Sequence, residues 1–554
     1  MRVDVRHPHI PWGVLATAAM MLTTNLAQSD PLPTQTADRT AMFYAPQFNF
    51  TRSGEPLIHV GVMQGSNKAE FSSRDPIQVL PLGEGGPEIN LPGGRTYTVK
   101  LDQGKPGSYR HWVVVQRFSY GNDELIQATI EAWVERGYLP NTIEIGGLFA
   151  VGGRRFDSRA VLVTLGGYDD RSSAQALAQR LTRKFGIETE FHRELLSYPT
   201  GRLSLGDHHN ASQVVHQDVF WVSPTREGQT FRLQTHHGER TYAGSLVFTL
   251  HHDGSLSTVN VVPVETLLKG VVPSEVYTSA PMESLKAQAV AARGTLISAL
   301  GVRHLADPFL LCSEVHCQAY SGLTREHPRT NQAVEETRGE LMFARSNPNT
   351  PWHIVDARYS ANCGGYSEHN DHVWGGAPQS YLRGHADTHA DGDKHSAQRL
   401  HPNTIQDWVK GRPQAWCNTE RYGGKRSFRW DKTVDVATLE SWLEKQGHDL
   451  GQVKQVDVLE RGVSGRVIRM SIQGAKGTLV LDRELTIRRA FGGLRSSMFI
   501  VSMDSAGRFR FQGGGFGHGV GMCQTGAMMM AHAGYDHRSI LGHYYTGARL
   551  EKLY

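Results

Sequence analysis

Residues 270–293 read GVVPSEVYTSAPMESLKAQAVAAR. One carboxylate, Glu275, stands in a Pro-Ser-Glu turn between an apolar Gly-Val-Val strand end and an alanine-rich segment. Shielding a carboxylate from water favours its neutral form, the state that a general acid needs near neutral pH. An acidic residue near a helix start also caps that helix, so local sequence leaves both roles open. From Pro281 onward, Met282, Leu285, Ala289, Ala292 and Leu296 fall at helical spacing, with Glu283 in the first turn and Gly301 near the stop. Ala287, Ala289, Ala291 and Ala292 keep nearly every side of this helix small. That predicts a helix packed close on its neighbours, fixing the position of Glu275.

Further blocks lie downstream: CSEVHCQAY at 312–320, RTNQAVEETRG at 329–339, YSANCGGYSEHNDHVWGG at 359–376, GGGFGHGVGMCQTG at 513–526, and a closing HYYTGARLEKLY. The glycine-rich block lacks the Gly-Lys-Ser/Thr ending of a phosphate loop, and a tight turn carrying an exposed His518 fits it better. Taken together and in order, these blocks and the Glu275 stretch resemble the SpoIID family, secreted lytic transglycosylases of bacterial cell walls and their amidase-enhancer relatives. Two positions depart from that pattern: Cys363 stands where many relatives have a small hydroxyl residue, and Gly294 follows Arg293 where Thr is usual.

At 554 residues the chain is too long for one ordinary core, which predicts two or three domains. With 58 basic and 54 acidic residues the formal charge is +4, and such near-neutrality gives no case for nucleic acid as a partner. No apolar run reaches the roughly 20 residues of a membrane span. Arg2 and Arg6 precede an apolar stretch from Trp12 to Leu22, and Ala27-Gln28-Ser29 offers a small-x-small cleavage site. Residues 1–29 therefore read as a secretory signal peptide and the mature protein as exported, to the periplasm or the extracellular envelope.

An exported chain can form disulfides. The five cysteines, Cys312, Cys317, Cys363, Cys417 and Cys523, are odd in number, so at least one stays unbridged, ligates metal or pairs externally. Cys312 and Cys317, with His316 between them and His304 upstream, have the residue types of a structural zinc site, or else of a short-range disulfide. Some members of the resembled family are thought to bind zinc near this segment. Cys363 with Cys417 is a candidate second bridge. The histidines of the 377–412 loop (His385, His389, His395, His401) show no regular helical face and read as a solvated rim.

Residues 30–55 are polar and read as a linker. Short β-branched runs at 57–63, 76–82 and 95–101, resuming at 220–224, 230–237, 240–252 and 256–272, read as strands. Between them, residues 109–196 hold a near-repeat of strand, helix and strand, with Leu125, Ile130, Trp133 and Val134 inward on the first helix and Leu177, Leu181 and Phe185 on the second. Two such units make one small sheet with both helices on one face. The LVTLGGYDDRSSAQALAQRL run resembles a SPOR domain, a module that binds peptidoglycan glycan stripped of stem peptides; an unrelated ferredoxin-like insertion is the alternative. The expected class is α+β: a β-rich SpoIID-type domain (56–108, catalytic region 215–400, C-terminal part 401–554) with a catalytic helical portion and a SPOR-like, ferredoxin-type α/β insertion at 109–196.

The resemblance implies cleavage of the bond between N-acetylmuramic acid and N-acetylglucosamine, with 1,6-anhydro ring closure and no required cofactor. Peptidoglycan glycan strands are the implied substrate, and other wall hydrolases such as amidases the implied partners. A single conspicuous Glu suits that route better than a hydrolase using two carboxylates. Glu275 is carried over as acid/base from the family's Val-Pro-x-Glu block. Ser274, Arg293, Tyr320, Ser360, Asn362, Tyr366, His518 and Gln524 fall on the matching blocks as candidate cleft residues, although the Ser274 hydroxyl is expected to bond backbone. A binding-only amidase enhancer using the same cleft is the competing expectation.

Overall fold

A computed structural model describes residues 43–44, 49–81, 88–151, 154–185, 187, 189–207, 214–314, 317–345, 352–388 and 404–554. The expected leader, and His316, His389, His395 and His401, lie outside the described residues.

Two largely antiparallel sheets share one core. The first runs Asn49–Phe50, Pro56–Ser66, Leu256–Pro263, Ser245–Leu250, Val219–Pro224, Ile77–Leu80 and Ile89–Leu91, with Leu311–Cys312 added parallel to Pro56–Ser66. The second runs Val214–Gln217, Thr200–Asp207, Arg95–Lys105, Lys68–Ser73, Thr230–Thr235 and Gly238–Ala243. Alternation sets the faces: Phe231 and Leu233 point into the core while Arg232 and Gln234 are exposed. Leu256–Val262, central in its sheet, is buried throughout. The 240–252 run is two strands and not one, because Gly244 turns the chain at φ 75° where a Cβ would meet the Val261 carbonyl. Phe43 and Tyr44, inside the stretch read as a linker, are buried beside Val219, Val247 and Val259. Their apolar area docks that part of the segment on the sheet.

The segment between the paired strands Arg95–Lys105 and Thr200–Asp207 forms a unit of its own at their open end. Its strands Ser108–Ser119, Asn141–Ile145, Ala160–Tyr168 and Glu190–Ser197 pair antiparallel in the spatial order fourth, first, third, second. With helices Asp123–Glu135 and Arg171–Phe185 this is a βαββαβ arrangement. Trp133, Leu177 and Leu181 pack with Val113 and Leu165, so both helices cover one face. The first helix is rotated from its expected phase: Ile126 and Trp133 face in, whereas Leu125 and Val134 are exposed. The opposite face, with Val114, Ile145 and Leu162, meets Leu305 of the larger domain.

The segment read as one strand over 256–272 becomes a helix after Pro263, and Val264–Glu275 is α-helical. Glu55 accepts the Glu265 backbone N–H at 2.8 Å, satisfying one of the donors left open at a helix start. The alanine-rich helix, Met282–Ser298, is buried from Ser284 through Ile297 except at Lys286. Its Gly294 is a packing requirement, since a Cβ there would come within 2.8 Å of the Val355 carbonyl. Beyond it, Glu340–Ala344 pairs with Arg549–Lys552 and so returns the chain end to this layer. A separate core around Leu439, Met470, Ile487, Phe491 and Phe511 organises much of the 430–511 region.

Arg293, fully buried, donates through Nε and Nη2 to Glu265 at 2.9 and 2.6 Å. Glu265 also accepts from the Gly339 N–H and the Tyr554 hydroxyl. The pair thus joins two helices, a loop and the C-terminus. Glu265→Ala, which strands the Arg293 charge, is expected to cost about 3–5 kcal/mol in urea unfolding. Removing the solvent-exposed Lys68–Glu70 pair should cost under about 1 kcal/mol.

Candidate functional site

Glu275 is the last residue of its helix, and Val276 turns to extended backbone. It therefore does not lie in a turn preceding the alanine-rich helix or cap that helix. It sits at the carbonyl end of the one before, where the helix dipole opposes a negative charge. One carboxylate oxygen accepts the Ala319 N–H at 3.3 Å. Burial pushes the Glu275 carboxyl above its ordinary value, and the Ala319 N–H only partly opposes this.

The half-buried side chain opens on a pocket of about 450 Å³ lined by Ser274, Glu275, Tyr277, Ala361, Tyr422, Phe516 and Gln524, among others. No second carboxylate, lysine or arginine lines it among the described residues. Gln524, first residue of the helix Gln524–His532, donates to the Glu275 carbonyl and to Gln288 of the alanine-rich helix, both at 3.0 Å. It fixes the end of the acid's helix against two others. Ser274 bonds back to the Gly270 carbonyl, as expected for a serine within a helix.

The remaining candidates are elsewhere, each for a packing reason. Arg293 is consumed by Glu265. Tyr320 is buried and its hydroxyl bonds Asn260. Ser360 accepts the Gly519 N–H. Asn362 is fully buried, bonding the Cys417 carbonyl and the Gly364 N–H. Tyr366 packs with Trp408 and Ala386. His518 is half-buried beside Trp374 at 4.9 Å rather than exposed, and burial with nearby arginines holds it down to about 3. In its block Gly515, Gly517, Gly519 and Gly521 all have positive φ, and a Cβ on Gly519 would strike the Arg466 guanidinium. His385, read as part of a solvated rim, bonds Ser367 and packs against His543 and Tyr544.

Three aromatics were not anticipated. Tyr277 and Phe516 are 55% and 43% exposed in the pocket, and Tyr422 lies 5.9 Å from Tyr277. Tyr422 adopts φ 52°, a costly conformation for a non-glycine residue, with its hydroxyl on His532. Phe516 could have been suspected, since an aromatic amid glycines has little core to enter; Tyr422 left no local trace.

His304, Cys312 and Cys317 place their ligand atoms within 4.8 Å of one another. Asp307 bonds His304 Nδ1 at 2.8 Å, leaving Nε2 facing Cys317 Sγ at 3.3 Å. A carboxylate behind a ligating imidazole is the usual outer support of a zinc ligand, so these three residues fit the metal. The described cysteines form no disulfide.

A carboxyl whose folded pKa is raised stabilises the fold fully below its unfolded value, and that contribution is lost as pH rises through the folded value. Glu275→Gln should therefore raise Tm at pH 8. The gain should vanish near pH 4. Calorimetry at both pH values checks this.

Residues 252–343 match the family model described as stage II sporulation protein, SpoIID, and residues 368–521 match a domain family of unknown function. An uncharacterized protein of Brachyspira hyodysenteriae is 28% identical over 55% of this chain and 71% of its own length. An amidase enhancer of Bacillus subtilis is 27% identical over 51% of this chain and 40% of its own. A stage II sporulation protein D of Bacillus amyloliquefaciens is 24% identical over 58% of this chain and 83% of its own. These relatives support a role connected with the cell wall. The stretch around Glu275, the ordered blocks that build its pocket and the matched region agree: residues 252–343 carry a SpoIID family domain, and the chain is similar to SpoIID and amidase-enhancer proteins.

Proposed function

We propose that the chain is a lytic transglycosylase of peptidoglycan glycan strands, acting outside the cytoplasm through Glu275. The observation that carries this reading is a half-buried carboxyl in a pocket with no second acid among the described residues, edged by aromatic faces suited to the apolar faces of sugar rings. The neutral acid protonates the oxygen bridging N-acetylmuramic acid and N-acetylglucosamine as that bond breaks. The carboxylate so formed removes the proton from the muramyl C6 hydroxyl, whose oxygen closes on C1. The acid is regenerated and no water is consumed.

Zinc on His304, Cys312 and Cys317 would act by position. Cys317 lies two residues from Ala319, whose N–H touches Glu275, and Gln318 between them bonds the Tyr359 hydroxyl. A metal held there would fasten the segment, and the proton steps belong to Glu275.

The unit at 109–196, which resembles SPOR domains, supplies a second glycan contact. Its sheet face and residues 302–307 enclose about 430 Å³, lined in part by Arg117, Phe191 and Arg193. Phe191→Ala should weaken binding to glycan stripped of peptides while leaving turnover of short oligomers intact; unchanged sedimentation with stripped sacculi would remove this role.

The decisive measurement is mass spectrometry of fragments released from purified glycan. Wild type should release anhydro-muramyl ends. Glu275→Gln should lower release by about 10²-fold or more, the range of general acid–base contributions, while still binding. Cys317→Ser should lose the zinc of the His304–Cys312–Cys317 cluster and release together. The relative named as an amidase enhancer supports a second reading, in which the cleft only binds. Sacculus binding with no fragments from wild type would select that reading.

A further inference from the structure

Cys363, Asp387, Cys417 and Cys523 come from four separate segments, yet their ligand atoms lie within 4.8 Å of one another, and all four residues are fully buried. Cys363 Sγ is 3.5 Å from Cys417 Sγ and 3.4 Å from Asp387 Oδ2. A tetrahedral zinc ion, with bonds of about 2.3 Å to sulfur and about 2.0 Å to oxygen, needs ligand separations of about 3.5–3.8 Å. We propose that these four side chains form a closed structural site for zinc, distinct from the His304–Cys312–Cys317 cluster.

The surroundings argue for a cation. A buried carboxylate among sulfur atoms is costly unless it is compensated. Asp387 accepts from the Tyr544 hydroxyl and the Cys417 N–H, with His543 at 3.5 Å. Three thiolates and a carboxylate carry four negative charges, so a divalent ion leaves two. Two guanidiniums face that remainder. Arg466, buried, donates to the Cys363 carbonyl and also faces Glu368. Arg429 bonds four backbone carbonyls among the described residues, and the charges it faces include Cys363 and Cys417. Binding releases the thiol protons to solvent. With four protein ligands and no solvent access the site has no open position, so its role is structural.

Its placement gives it a purpose. Cys523 immediately precedes Gln524, which holds the end of the Glu275 helix. Cys363 follows Ala361 of the pocket wall by two residues, and Thr525 bonds Ala361 through both N–H and hydroxyl. Asn362 bonds the Cys417 carbonyl. The ion would fasten the back of the cleft.

The test uses the full chain, purified under reductant without a metal-binding tag and reconstituted with zinc. In the Cys312→Ser/Cys317→Ser variant, about one equivalent of zinc should remain after dialysis. Its cobalt(II) form should show thiolate-to-metal charge transfer and tetrahedral d–d bands. Adding Cys363→Ser should abolish both. If the double variant does not fold, Cys363→Ser in the otherwise native chain should lower zinc from about two equivalents to about one. No retained zinc, cobalt bound without thiolate charge transfer, or zinc content indifferent to Cys363→Ser would overturn the proposal. So would a peptide map showing Cys363 linked to Cys417 by a disulfide.

Discussion

A buried ion pair sets the geometry on which the Glu275 site depends. Arg293 and Glu265 meet through two hydrogen bonds in a place sealed from solvent, and Glu265 also receives the Gly339 N–H and the Tyr554 hydroxyl. Such a pair is weak as a net source of stability but demanding in geometry, because either charge left alone in the interior is costly. The acid's helix and the alanine-rich helix must therefore meet in one register. Glu265 opens the helix that Glu275 closes, so locking one end aims the other.

The same helix shows how one element gives its two carboxylates opposite environments. Glu265, near the amide end, is surrounded by donors and a guanidinium. Glu275, at the carbonyl end, has one long bond from Ala319 and, among the described residues, no cation along its pocket. Dipole and burial both favour the protonated form at 275. Position at a helix end and shelter from water act on that carboxyl in the same direction.

Local chemistry was legible where it depended on residue type and short spacing. The alanine-rich helix, the alternating strands and the serine that bonds its own helix followed from side-chain size and period. The shape of the helix before Glu275 did not, because the apolar β-branched run 256–272 reads the same as a strand or a buried helix until Pro263 breaks the ladder. Tyr320, Asn362 and Tyr366, candidates for the cleft by their motifs, have partners in the interior for a related reason. Polar and aromatic side chains in ordered motifs serve packing as readily as binding, and only their partners (Asn260, Cys417, Trp408) tell which.

By itself the chain's order of residues determined the α+β character and the near-repeat at 109–196, since each rests on patterns within a few turns or strands. Tertiary structure alone decided that Arg293 is a buried anchor, that Tyr277, Tyr422 and Phe516 share a pocket wall, and that Cys363, Asp387, Cys417 and Cys523 converge. Those relations join residues up to hundreds of positions apart. Periodicity carries no information at that range, whereas packing brings their atoms within bonding distance.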